Sequence, residues 1–284
     1  MKLIDIHTHG IGGYDTRTLS ESDILKMAEI HGAAGVSEVI PTIYPDTIAV
    51  MQGNMMAVRK AIEMQKSETT PTLIGIHLEG PFLNPNRCGA LNAETFIEPT
   101  VYNVEKLLDG FKDMVKIITI APEIDGAAKL IRKISDMGIT VSMGHSDATY
   151  AEAEAGFNAG ARGITHIFNA MRGIHHREPG IAGFGLLNKD IYIEVIADPY
   201  HLHLKTLELI FRTKKQDRII IISDSVKGTK PSDGEIKQVV VDDSGRLQGG
   251  SMTIIESSGR LIDLGFDEDV ITRCITDNPA AYLY

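Results

Sequence analysis

A chain of 284 residues, 43% of them hydrophobic, is long enough for a single (β/α)8 barrel, which needs about 250 residues, and carries the apolar side chains its core requires. The formal charge of −10 excludes a good match to nucleic acid, which needs clustered Lys and Arg, but leaves small anionic substrates open, because one local Arg can reverse the field at a site. Cys88 and Cys274 are far apart and in no ligand-like spacing; with no signal peptide and no apolar run near the roughly 18 residues of a membrane span, a soluble cytoplasmic protein without a membrane partner is expected.

In chain order, the first expected strand is Leu3–Thr8, followed by an amphipathic stretch, Ser22–His31, on which His31 is read as helix surface. Strands follow at Val36–Thr42 and Thr72–Leu78, with His77 read as strand-end packing. Then come a helical stretch at Asn103–Phe111, a strand at Val115–Ala121, a helix at Gly126–Met137, a strand at Ile139–Met143 and a helix at Tyr150–Ala159. Gly163–Ile167, Ile191–Ala197 and Arg218–Ser223 complete eight strands. Most of these runs are near-continuously apolar rather than alternating, which is the pattern of parallel strands buried on both faces. Several helical stretches end at Gly, the usual helix stop.

The alternation predicts an α/β fold, a closed (β/α)8 TIM barrel formed by residues 1–284 as one domain. An open doubly wound sheet is the structural alternative, weakened by the lack of a Gly-x-Gly-x-x-Gly after the first strand. Beyond the eighth strand, Ile236–Val241 and Leu247–Ile254 flank the turn Asp242-Asp243-Ser244-Gly245 and read as a hairpin excursion. A last helix over Asp267–Thr276 is expected to stop at Asn278-Pro279.

The residues able to carry chemistry stand at the C-terminal ends of these strands: His7 and His9 at the first, Glu79 at the third, His145 at the fifth, His166 at the sixth and Asp224 at the eighth. That rim is where barrel strands converge and active sites form. His and carboxylate ligands suit Zn²⁺, Fe²⁺ or Mn²⁺. Residues i and i+2 of a strand point to one face, so His7 and His9 could reach one ion, which would acidify a bound water; a neighbouring carboxylate could serve as general base. Singly, each residue has a plainer reading. Asp224 could cap a helix, and His145 precedes a plausible cap region, Ser146-Asp147. Six such residues on one rim are harder to explain that way.

The sequences around these residues resemble the N-acetylglucosamine-6-phosphate deacetylase family of the amidohydrolases: Asp5-Ile6-His7-Thr8-His9-Gly10, His77-Leu78-Glu79-Gly80-Pro81-Phe82, Gly144-His145-Ser146, Thr165-His166-Ile167-Phe168-Asn169-Ala170-Met171, Arg177-Glu178-Pro179-Gly180 and Ile222-Ser223-Asp224, in the family order, with Asp277-Asn278-Pro279-Ala280 near the end. The resemblance implies a divalent metal, one ion or two. Glu79, His145 and His166 would hold the catalytic ion, and His7 and His9 a second ion with Glu79 bridging. Asp224 would be the general base and acid, Asn169 and Ala170 would line the sugar site, and Arg177 and His201 would meet the 6-phosphate. Zn is the first choice of metal, with Fe or Mn as alternatives.

His203 competes with His201 for the phosphate role, a surface salt bridge to Glu178 competes for Arg177, and His175 and His176 have no assigned role. The resemblance implies hydrolysis of the N-acetyl group of an amino-sugar 6-phosphate, the small-molecule partner. Two departures stand out. The accessory β-sandwich of the family is missing, which would bare barrel surface near both ends of the chain and favour a homo-oligomer, a dimer first. The position after Gly89-Ala90, usually a polar residue contacting the substrate carbonyl, is Leu91. Rival readings are another amidohydrolase reaction on a cyclic amide or N-acyl amino acid, a metal-dependent phosphodiesterase, and a non-catalytic sugar-phosphate binder.

Overall fold

A computed structural model of the chain describes residues 2–65, 71–231, 239–242 and 245–284. Eight parallel strands follow one another around a barrel: β1 Ile4–Thr8, β2 Glu38–Ile43, β3 Ile76–Glu79, β4 Val115–Ile120, β5 Thr140–Met143, β6 Gly163–Ile164, β7 Tyr192–Ile196 and β8 Ile219–Ile222. All eight fall within or beside the expected runs. The four consecutive isoleucines of β8 show why: β-branched side chains fit the extended backbone, and here both faces of the strand are buried. In-register pairing of Ile193–Ile196 with Ile219–Ile222 sets the β7–β8 ladder. Between the first and last strands, the Asp224 amide donates to the His7 carbonyl at 2.9 Å and the His9 amide to the Ser225 carbonyl at 2.8 Å, which brings those two strand ends together. A short strand, Thr72–Leu73, also pairs with β2, and a two-stranded hairpin of Gly10–Ile11 and Tyr14–Asp15 rises from the end of β1.

Helices α1 Glu21–Ala33, α2 Ile48–Met64, α3 Val101–Leu107, α4 Ala127–Asp136, α5 Tyr150–Asn158, α6 Gly180–Leu187 and α7 Leu204–Thr213 connect the strands, and α8 Ile254–Asp263, α9 Glu268–Cys274 and α10 Asp277–Leu283 follow β8. Helix α4 shows the logic most clearly. It buries Ala127, Leu130, Ile131 and Ile134, one face of a 3.6-residue period, while its lysines and arginine face out. Thr149 with Glu152 and Thr253 with Glu256 form capping boxes that start α5 and α8.

Three expectations are corrected. Pro279 does not stop the last helix: it lies in the first turn of α10, where a missing N–H costs nothing, so the chain makes two helices, α9 and α10. The run Leu247–Ile254 is not a strand; Leu247 makes a single antiparallel bridge to Val241, and the Thr253 cap turns Ile254 into the start of α8. Part of the expected hairpin partner, residues 236–238, and its turn residues Asp243 and Ser244 lie outside the described residues. His31 is not helix surface either. It is fully buried with its Nε2 3.0 Å from the Thr8 hydroxyl, because α1 packs this face against the end of β1. His77 is buried inside the sheet, with Nε2 2.9 Å from the Thr119 hydroxyl.

The two ends of the barrel differ. At the N-terminal ends of the strands, Tyr282 of α10 is fully buried against Tyr192, ring centroids 5.0 Å apart, in an apolar cluster with Ile4, Ile6, Ile117 and Ile220. Gly163 opens β6 there because any Cβ would collide with the Tyr282 ring. Among the described residues there is no β-sandwich, and no helix is long and apolar enough to cross a membrane.

Candidate active site

At the opposite end, the strands deliver the six expected side chains to one place. His7 lies in β1 and His9 one residue past it; Glu79 closes β3; His145, His166 and Asp224 each stand two residues beyond β5, β6 and β8. All six are buried. His145, His166 and Asp224 carry positive φ values of 47°, 28° and 45°, and Ala170 one of 48°. Such backbone conformations are unfavourable for side-chain-bearing residues and persist only where surrounding structure enforces them. Here they turn each side chain from the strand direction into the mouth.

Glu79 is the hub. Its Oε1 lies 3.0 Å from His145 Nε2, 2.9 Å from His166 Nε2 and 3.5 Å from His7 Nε2, and its Oε2 is 2.9 Å from His9 Nε2. Asp224 Oδ1 lies 3.4 Å from His7 Nε2 and 3.7 Å from His9 Nε2. Two triads, Glu79–His145–His166 and His7–His9–Asp224, each hold their ligand atoms within 4.8 Å of one another. Burial pushes the Glu79 carboxyl up, but the charges of His145 and His9 outweigh it and hold it well below the usual range. Burial pushes His7 down, yet Asp224, Glu194 and Glu79 together raise it well above an ordinary imidazole.

The donor set fits a divalent cation. His145 Nδ1 lies 2.9 Å from the Arg87 carbonyl, which can only accept, so Nδ1 carries the proton. Loss of the Nε2 proton would then leave a lone pair beside the Glu79 carboxylate, a pair of donors that suits a divalent cation. His7 repeats the pattern, its Nδ1 on Glu194 Oε2 at 3.0 Å and its Nε2 buried without a hydrogen-bond partner among the described residues. An outward N–H on a carboxylate or carbonyl is how metal-binding histidines are oriented.

A cavity of about 290 Å³ opens over this cluster, lined by His9, Glu79, His145, His166 and Asp224 together with Asn169, Ala170, His201 and Leu91. Gly89 contributes backbone with φ of 59°; a Cβ there would press on Ala170 at 3.2 Å and on the His145 ring. His201 Nδ1 is held at 3.0 Å by Asp198, which also accepts from the Ser251 amide and hydroxyl. Burial lowers the His201 pKa, but the Asp198 hydrogen bond and charge more than compensate and raise it. His203 instead caps α7, its ring accepting from the Lys205 amide, which separates the two histidines that sequence left in competition.

Arg177 is not among the cavity-lining residues. It sits on an exposed loop with His175 and His176, and among the described residues it makes no ion pair with Glu178, whose carboxylate accepts from the Tyr150 and Gly180 amides. The cavity has another cation that sequence reading passed over, Arg246, which donates to the Gly89 carbonyl at 2.6 Å. Tyr44 and Glu194 were also missed. Tyr44 directly follows β2, so the strand-end rule reaches it, and Glu194 is a lone carboxylate in an otherwise apolar strand. Arg246 lies in the excursion after β8 and carried no such signal.

The amidohydrolase family model matches residues 2–283. The N-acetylgalactosamine-6-phosphate deacetylase of Escherichia coli O157:H7 is 31% identical over 271 residues, 92% of this chain and 71% of that protein. The N-acetylglucosamine-6-phosphate deacetylase of Bacillus subtilis (strain 168) is 37% identical over 237 residues, 82% of this chain and 59% of that protein, so the chain spans roughly two thirds of the length of such relatives. A mutant N-acetyl-D-glucosamine-6-phosphate deacetylase of Mycobacterium smegmatis, solved in complex with N-acetyl-D-glucosamine-6-phosphate, superposes with a TM-score of 0.90 at 26% identity, covering 99% of this chain and 77% of that one.

Proposed function

The chain belongs to the amidohydrolase family, among its amino-sugar 6-phosphate deacetylases, and on that premise we propose that it hydrolyses the N-acetyl group of N-acetylglucosamine-6-phosphate. The observation that carries this reading is the convergence of four histidines and two carboxylates from five strand ends beneath a cavity of substrate size. Glu79, His145 and His166 would hold one divalent ion, and His7 and His9, with Asp224 beside them, a second. Zn, Fe and Mn all suit this donor set. Bound there, such an ion supplies Lewis-acid polarisation and makes a water acidic enough to attack at neutral pH.

The chain's own groups do the rest. Asp224 takes the proton of the attacking water and returns it to the amide nitrogen as the C–N bond breaks, releasing acetate and the free amine. Its carboxylate stands at the edge of the buried cluster and lines the cavity, where it would face both the nucleophile and the leaving group. Asn169 and Ala170 border the sugar. His201, its pKa raised by the Asp198 hydrogen bond and charge, faces the anionic end, and Arg246 adds a positive group that lines the same cavity. Arg177 is assigned to the phosphate by family resemblance only, since its loop lies outside the cavity. A dimer belongs to the same reading, and light scattering at micromolar concentration would expose a monomer.

The test is acetate release from N-acetylglucosamine-6-phosphate and its galacto epimer, with metal measured on the same protein. At least about one divalent ion per chain is expected with turnover. Metal-loaded protein that cleaves neither compound overturns the reading.

A further inference from the structure

Leu91 lines the cavity but has no group to donate to a substrate carbonyl, and that oxygen gathers negative charge as the acetyl carbon becomes tetrahedral. Three of the other polar side chains around the cavity are already engaged. His201 is fixed on Asp198, Arg246 on the Gly89 carbonyl, and the Asn169 amide turns back to the Ile167 carbonyl at 3.4 Å.

Tyr44 is different. Its ring stacks on His9, centroids 3.8 Å apart and planes 21° apart, while the Arg17 guanidinium lies over the ring 4.4 Å from its centre. Arg17 is itself tied to the buried Asp15 carboxylate at 2.9 Å, so the hairpin after β1 clamps the phenol in one orientation. Among the described residues the Tyr44 hydroxyl has no hydrogen-bond partner, although the side chain lines the cavity beside a candidate metal ligand. Phenols are neutral donors at pH 7.

Resting on the deacetylase reading, we infer that Tyr44 is a catalytic residue whose hydroxyl donates a hydrogen bond to the scissile carbonyl oxygen, the task that Leu91 cannot perform. The clamp gives the donor its value: a hydroxyl already aimed at the developing charge needs no reorganisation during the reaction.

Tyr44→Phe removes the hydroxyl and keeps the ring stack. On the acetylated substrate its kcat should fall on the order of 100- to 1000-fold, the usual cost of one such donor. KM should change less than about threefold, and metal content and Tm should match wild type. The N-trifluoroacetyl substrate, whose carbonyl is already electrophilic, should lose at least about tenfold less than the acetyl one. A kcat within about threefold of wild type overturns the inference, as does an equal loss on the two substrates or a drop in bound metal. Wild-type protein that releases acetate from neither epimer overturns the deacetylase reading itself, and the inference with it; that failure appears in the wild-type arm alone.

Discussion

The two ends of the barrel are built from the same eight strands and obey opposite rules. At the N-terminal end, Tyr282 fills an apolar cluster, and its neighbour is a glycine where no other residue would fit. At the C-terminal end, six ionisable side chains are buried together, three of them on backbone held at positive φ. One end is optimised for contact, while the other accepts strain and crowded charge. The lesson is that stability and chemistry are separated along each strand, so a substitution at one end should leave the other's measurement nearly untouched.

The sharpest way to break that separation is Asp224→Asn. Asn is nearly isosteric but cannot accept a proton, so kcat should fall on the order of 10²- to 10⁴-fold. Tm should stay close to wild type, because the exchange removes a charge from the strained end without opening a cavity. A purified variant that turns over at near wild-type rate would remove Asp224 from the role of base. A large fall in Tm with activity kept would reverse the division between the two ends.

The mirror experiment is Tyr282→Ala. Emptying a fully buried aromatic site should cost roughly 3–5 kcal/mol of stability, read by denaturant unfolding. The kcat per folded molecule should remain within about twofold of wild type. If kcat fell with stability intact, the cluster at the N-terminal end would be coupled to the mouth.

The smallest expected effect lies at the rim of the mouth, where two arginines compete for the phosphate. Arg246 lines the cavity, whereas Arg177 does not. A hydrogen bond to a charged group is worth about 1.5–3 kcal/mol, and the exposure of Arg246 places it at the lower end. Arg246→Ala should therefore lower kcat/KM for the 6-phosphate by about tenfold and barely affect the unphosphorylated acetyl sugar. Arg177→Ala, measured on the same pair of substrates, is the comparison. A larger phosphate-specific loss at Arg177 would move the anion subsite to the exposed loop and leave Arg246 as a clasp between Gly89 and its own segment.

The sequence alone was enough for the barrel and for grouping six of its rim residues. Near-continuous runs such as Ile219–Ile222, repeated in alternation with helices, suit parallel strands buried on both faces. Once strands are parallel and alternate with helices, their C-terminal ends must converge, so His7, His9, Glu79, His145, His166 and Asp224 could be grouped from their positions at run ends. What the sequence left undecided depended on three-dimensional approach. His31 looked like helix surface because a lone histidine carries no mark of its burial; packing of α1 against the end of β1 decided that. Pro279 looked like a stop because its tolerated place depends on where the helix begins. His201 and His203 could be told apart only when Asp198 was seen to hold one and α7 to use the other as its cap. Which arginine faces the cavity, and that a tyrosine just past β2 is clamped between His9 and Arg17, depend on how the loops fold over the rim. Loop paths are set by long-range side-chain contacts rather than by a local period, so no stretch of this sequence could announce them.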